Sequence, residues 1–142
     1  MTANPYDLER FVTAQNEGGT YQRAVDELRR GQKTSHWMWF VFPQIAGLGQ
    51  SATSRFFAIL SLAEARAYLE HAVLGPRLIE SARIVAGTDG RTAEQIFGSI
   101  DAQKLRSSMT LFQRAAPEEQ VFGQVLEVYF DGVADAATEA RI

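Results

Sequence analysis

The stretch from Thr20 to Gly31, TYQRAVDELRRG, decides the fold class. Tyr21, Ala24, Val25 and Leu28 fall at i, i+3, i+4 and i+7, the spacing of one face of an α-helix. Thr20 suits the N-cap, Arg29 and Arg30 suit the negative end of the helix dipole, and Gly31 suits a stop. The same texture extends upstream, where Leu8, Phe11, Val12 and Gln15 share a face between an Asn4-Pro5 opening and a Gly18-Gly19 end. It returns downstream. Ser61 with Glu64, and Thr92 with Gln95, have capping-box spacing and predict helices from Ser61 through Leu69 and from Thr92 to Gly98. Gly75-Pro76 opens another, with Leu78, Ala82 and Val85 inward and Gly87 after it. Asp101 is placed to cap a helix whose buried stripe is Leu105, Met109 and Phe112. Pro117 starts a last long helix with Val121, Phe122, Val125 and Tyr129 inward and Gly132 as its stop.

Residues 32–57 have no clean period. They read as a short helical or extended piece from Ser35 to Phe42, a glycine loop, and a short element around Thr53 to Leu60. Residues 133–142 are Ala-rich and read as a loosely docked tail. The expectation is an all-α, single-domain orthogonal bundle of about six or seven helices over residues 1–142.

A chain of 142 residues is long enough to bury a real core without metals or disulfides. With 46% hydrophobic and 22% charged residues it has a globular composition, neither disordered nor collagenous. There is no cysteine, which removes thiolate catalysis, disulfides and cysteine-bound metals. No run of 18 apolar residues predicts a membrane span, and the opening MTANPYDLERF does not read as a signal peptide. A cytoplasmic protein is expected. The net charge of −3 argues against general nucleic-acid binding, which needs a basic face.

Three segments could carry chemistry. Lys33-Thr34-Ser35-His36-Trp37-Met38-Trp39 holds both tryptophans and one of the two histidines. Trp37 and Trp39 can stack on a ring or serve as core anchors. Lys33 can meet an anion, Ser35 adds a hydroxyl, and His36 can hold or move a proton near neutral pH. Gln44 and the loop Gly47-Leu48-Gly49-Gln50-Ser51 follow. The loop amides could cradle an anion, although the loop lacks the lysine of a P-loop and could be an ordinary turn. In DAQKLRSSMTLF (101–112), Lys104, Ser107, Ser108 and Leu111 lie on a stripe beside the core stripe. Adjacent serines oppose helix propensity, which points either to a site or to hydroxyls bonding back to the preceding turn. The 14 basic residues are twelve Arg and two Lys, and both lysines fall in these polar segments. An ammonium differs from a guanidinium where a compact charge is needed.

Other groupings read as structural. Asp26-Glu27 and Glu118-Glu119 look like solvated faces or first turns, and His71 looks like a partner for a helix dipole. His36 and His71 lack a metal-ligand spacing, so neither metal nor cofactor is implied.

The segments SHWMWFVFPQ, GLGQSA, YLEHAVLGPRL and IFGSIDAQKLRSSMTLF resemble those of a mainly bacterial family of unknown function whose members are sometimes labelled calpastatin. The resemblance covers roughly Tyr6 to Asp135 and implies a compact helical fold without an assigned activity. The calpastatin label does not carry over, since that inhibitor works as a disordered chain. Ala72 departs from the proline expected in the His-Pro-Val-Leu-Gly position.

Two functional expectations follow. One is a pocket between the tryptophan segment and the Lys104 helix for an anionic, nucleotide-like small molecule, with His36 and Lys104 as candidate catalytic groups and ADP-ribose-type hydrolysis as the reaction. Its binding groups would be Lys33, Ser35, Trp37, Trp39, Gln44, Gly47, Gly49, Ser51, Ser107 and Ser108. The other is a non-enzymatic interaction module that offers Trp37 and Trp39 to a protein partner.

Overall fold

The computed structural model describes residues 6–142, so the expected Asn4-Pro5 opening lies outside the described residues. The chain runs through α1 (Glu9–Asn16), a 3-10 turn (Glu17–Gly19), α2 (Thr20–Arg30), α3 (Met38–Val41), α4 (Ala52–Phe56) and α5 (Leu62–Glu70). It continues through α6 (Leu74–Ala86), α7 (Ala93–Phe97), α8 (Ser99–Ala115), α9 (Val121–Phe130) and α10 (Ala136–Glu139). The protein is an all-α bundle. The seven helices read from periodicity and capping are present, joined by the short α3, α4 and α10.

Local chemistry sets most of the boundaries, and it revises several expected ones. The capping box at Thr92 and Gln95 forms with both halves. At Ser61 only one half forms, because the Glu64 side chain turns to Leu60 N–H and Arg10 instead. Thr20 is the first residue of α2 rather than its cap, and its hydroxyl donates to Glu17 O at 2.6 Å. Asp101 lies inside α8, whose N-cap is Gly98. Pro117 sits in a turn, and α9 begins only at Val121. His71 serves the next helix: its Nδ1 accepts from Val73 N–H and Leu74 N–H at the start of α6.

The core forms around α8, which packs against α5, α7, α9 and α10. Ser107 through Phe112 are all buried, so the helix is enclosed on every side there. A helix covered all round belongs to a core rather than a surface. This corrects the expected separation of a polar stripe from the core stripe: Ser108 and Leu111 are fully buried. An aromatic chain runs through this core from Phe11 to Tyr68 (5.1 Å), Phe112 (5.4 Å) and Phe122 (5.8 Å between ring centroids). The edge-on geometry of the first pair favours the quadrupoles of both rings.

The aperiodic middle of the chain wraps one end of α8. A short parallel bridge joins Ile45 to Ile59, with Ala46 N–H donating to Ile59 O (2.8 Å) and Ile59 N–H to Gln44 O (2.9 Å). Arg10 fixes this segment from behind, donating to Phe56 O (2.7 Å), Ala58 O (2.9 Å) and the buried Glu64 carboxylate (3.1 Å). The tail is not loosely docked. Arg106 holds Val133 O at 2.9 Å, Thr110 Oγ1 accepts from Asp135 N–H at 2.8 Å, and Thr138 is fully buried against α8.

Candidate functional site

Sequence position separates the tryptophan segment from the α8 polar groups, but the fold joins them through one carboxylate. Asp101 Oδ2 accepts Lys33 Nζ at 2.8 Å, and its Oδ1 accepts Lys104 Nζ at 3.2 Å. Burial alone would raise the Asp101 pKa, but the two ammonium groups outweigh it and hold the carboxyl below its ordinary range. Each ammonium also faces an indole. Lys33 lies 5.1 Å from the Trp37 ring centroid and Lys104 lies 3.9 Å from that of Trp39. Both lysines of the chain therefore meet at one point, with one net positive charge between them and Asp101.

From there the two arms of the segment diverge. Glu27 organises the inner arm. It is 1% exposed, which corrects the reading of Asp26-Glu27 as a solvated pair. Its carboxylate accepts from Thr34 N–H (2.8 Å), Ser35 N–H (3.0 Å), the Ser35 hydroxyl and Trp37 Nε1–H (2.9 Å). Burial pushes its pKa up, but these donors dominate and bring it down to about 2. Trp37, 1% exposed, is thus a hydrogen-bonded core anchor beside Phe42 and Phe97. Ser35 is spent on Glu27, and Lys33 is spent on Asp101 and Ser35 O. His36 is exposed.

The outer arm leads to a cavity of about 640 Å³. Trp39, half-buried on α3, forms part of its wall. The loop from Gln44 to Gly49 and the segment from Ser54 to Leu60 form another part. Ile100, Gln103, Lys104 and Ser107 line it from α8, and Asp135 and Ala137 from the tail. Six of the sequence-predicted residues thus converge: Trp39, Gln44, Gly47, Gly49, Lys104 and Ser107. Lys33, Ser35, His36, Trp37, Ser51 and Ser108 are not among its lining residues. Ser51 caps α4, accepting from Ser54 N–H at 3.1 Å, and Ser108 is turned into the core.

Both loop glycines have packing reasons. Gly47 has φ +96°, and a Cβ there would run into the Arg141 guanidinium. A Cβ on Gly49 would lie 2.7 Å from Ser54 Cβ. Even so, the N–H groups of Gly47, Leu48 and Gly49 donate to no acceptor among the described residues, which leaves three successive amide donors along one wall. Gln44 adds a side-chain amide nitrogen that is buried without a partner. The carboxylate of the wall, Asp135, is already engaged: it accepts from Gln103 Nε2 (2.7 Å), Thr138 N–H (3.0 Å) and the Thr138 hydroxyl. With that proton committed, Ser107 Oγ donates to Thr138 Oγ1 at 2.8 Å.

Arg55 and the tail were the parts of the site that sequence reasoning missed. Arg55 adds a cation on the wall, and Arg141 lays its guanidinium over Gly47. A single basic residue in a helix as short as α4 carries no signal of what it faces. Among the described residues no cluster of three or more His, Asp or Glu is placed to hold a metal ion, and no helix is long and apolar enough to cross a membrane.

Comparison with known proteins gives a family without a reaction. No curated protein matches the chain. The crystal structure of the conserved hypothetical protein Rv1873 from Mycobacterium tuberculosis is similar, with a TM-score of 0.93 and 50% sequence identity over 96% of each chain. A family model described as a protein of unknown function, DUF1810, matches residues 5–142. Nearly the whole fold, the cavity walls included, lies inside that match, and the chain belongs to the DUF1810 family.

Proposed function

We propose that the domain binds a small organic anion in the cavity between the tryptophan segment and α8. The observation that carries this reading is the Lys104 ammonium held 3.9 Å over the half-buried Trp39 ring, on the wall of a cavity of about 640 Å³. Cavities of roughly 300–1,000 Å³ suit organic ligands, and a few placed polar groups on an apolar wall fix their orientation. Lys104, the free amides of Gly47–Gly49 and the Gln44 amide would hold the acidic group. Trp39 and Phe57 would face a planar or apolar body. A nucleotide-like ligand combines such features.

Hydrolysis, including that of ADP-ribose conjugates, has weaker support. A general base must lie within hydrogen-bond reach of the proton that it takes. His36 lies outside the cavity lining, and the Asp135 carboxylate already accepts three hydrogen bonds. The interaction-module reading loses one of its two anchors, because Trp37 is buried.

A thermal-shift screen against nucleotides, NAD, ADP-ribose and sugar phosphates tests the binding reading, with Lys104→Ala and Trp39→Ala beside the wild type. A ligand at about 100 times its Kd adds about 2.7 kcal/mol, which is a shift of several degrees. A shift lost in both variants supports the cavity. A shift kept in both removes it as the site.

A further inference from the structure

We infer that the cavity takes a monocarboxylic acid with an aliphatic or aryl body, and takes it carboxylate first. This rests on the binding reading above and deepens it.

Exposure falls along α8 from the cavity mouth inward. Ile100, Lys104 and Ser107 all line the cavity, and they span about 10 Å at 1.5 Å per residue. Ile100 is 73% exposed, Lys104 is partly exposed, and Ser107 is 2% exposed. The cavity therefore opens at Ile100 and closes toward Ser107. The facing wall repeats the order, with Leu60 73% exposed at the opening and Ile45 buried. The exposed lining thus holds two large apolar side chains, Leu60 and Ile100, beside Arg55 and Gln103, and the Lys104 ammonium begins a turn of helix further in. Leaving such side chains exposed is costly unless an occupant covers them, and a rim of this kind marks a site for apolar matter. A sugar or a phosphate chain at that mouth would gain nothing from Leu60 and Ile100. An alkyl or aryl body would cover both.

The charge further in fits a single negative charge. Arg55 and Arg141 are exposed, so the charged groups away from the opening are Lys33, Lys104 and Asp101, which together carry one positive charge, and Asp135, which is satisfied by its own donors. A carboxylate with two acceptor oxygens matches the Lys104 ammonium on one side and the unpaired amides of Gln44 and Gly47–Gly49 on the other.

The test uses octanoate, octylamine, octanol and adenosine monophosphate as probes of the full chain, read by melting temperature and tryptophan fluorescence. The expected result is a saturable shift with octanoate, little with octylamine, and binding of octanol weaker by about tenfold, the worth of one charged hydrogen bond. Lys104→Gln should weaken octanoate by about tenfold while it melts like the wild type. Ile100→Ser, a change at an exposed position, should weaken octanoate and leave the fold intact. Equal shifts with octylamine, or unchanged octanoate affinity in Lys104→Gln, would overturn the inference. Adenosine monophosphate binding without octanoate binding would overturn it too, and would leave the cavity reading standing. Binding of neither would remove both.

Discussion

Glu27 makes the sharpest test of how the tryptophan segment is held. Its carboxylate collects four hydrogen bonds in a site that water barely reaches. Its pKa is about 2 in the folded protein against 4.5 ordinarily. A depressed carboxyl contributes stability that is fully present above the unfolded value and is lost as pH falls through the folded one. The difference is worth about 3 kcal/mol above pH 5, of which about 2 kcal/mol is gone by about pH 3. Glu27→Gln keeps one acceptor oxygen and abolishes the titration. Its stability deficit against the wild type should therefore be largest near neutral pH and shrink by about 2 kcal/mol by about pH 3. Urea unfolding of both proteins across that range, followed by circular dichroism and tryptophan fluorescence, measures it. Parallel curves, with a deficit that does not change with pH, would mean that the Glu27 carboxyl is not depressed in the folded protein. Glu27→Ala should cost more at every pH, because Thr34 N–H, Ser35 N–H and the buried Trp37 Nε1–H lose their acceptor, at about 1–3 kcal/mol for each group left unpaired.

Other positions give independent checks. Thr138→Val removes the hydroxyl's hydrogen bonds to Ser107 and Asp135 while keeping that of the backbone N–H, and should cost about 1–3 kcal/mol and speed amide hydrogen exchange in residues 133–142 more than in α9. Gly47→Ala places a methyl against Arg141 at a positive φ, and should lower stability by about 1–3 kcal/mol in chemical denaturation. Asp101→Asn leaves Lys33 and Lys104 without their shared counter-ion. It should lower the melting temperature, and added salt should recover part of the loss by screening the two ammonium groups.

Much of the fold was legible because a helix of eight or more residues repeats its inward face. Phe11 and Gln15 on α1, Leu28 on α2, Val85 on α6 and Met109 on α8 all lie where the period puts them. The segments α3, α4 and α10 have only four or five residues, too few to show a period. Boundaries slipped where a side chain had a better partner than a backbone end. Asp101 looks like a cap in sequence, but the ammonium groups of Lys33 and Lys104 are stronger partners than helix N–H groups. Glu27 looks solvated beside Asp26, because the four donors that bury it come from residues folded back over it. Half of the sequence candidates line the cavity, and residue type alone marks them out. Lys33, Ser35 and Trp37 offer the same chemistry in the sequence as Lys104, Ser107 and Trp39. Only the fold distinguishes the set turned inward to Glu27 and Asp101 from the set turned toward the cavity.

The enclosure of α8 limits how this protein can change. The same seventeen-residue helix gives Lys104 and Ser107 to the cavity and Met109 and Phe112 to the core. One residue inserted after Gln103 would rotate everything beyond it by about 100°. Ser107 would leave the cavity wall in the same step that Phe112 left the aromatic chain. Substitutions can retune the cavity one side chain at a time, but insertions and deletions within α8 strike site and fold together.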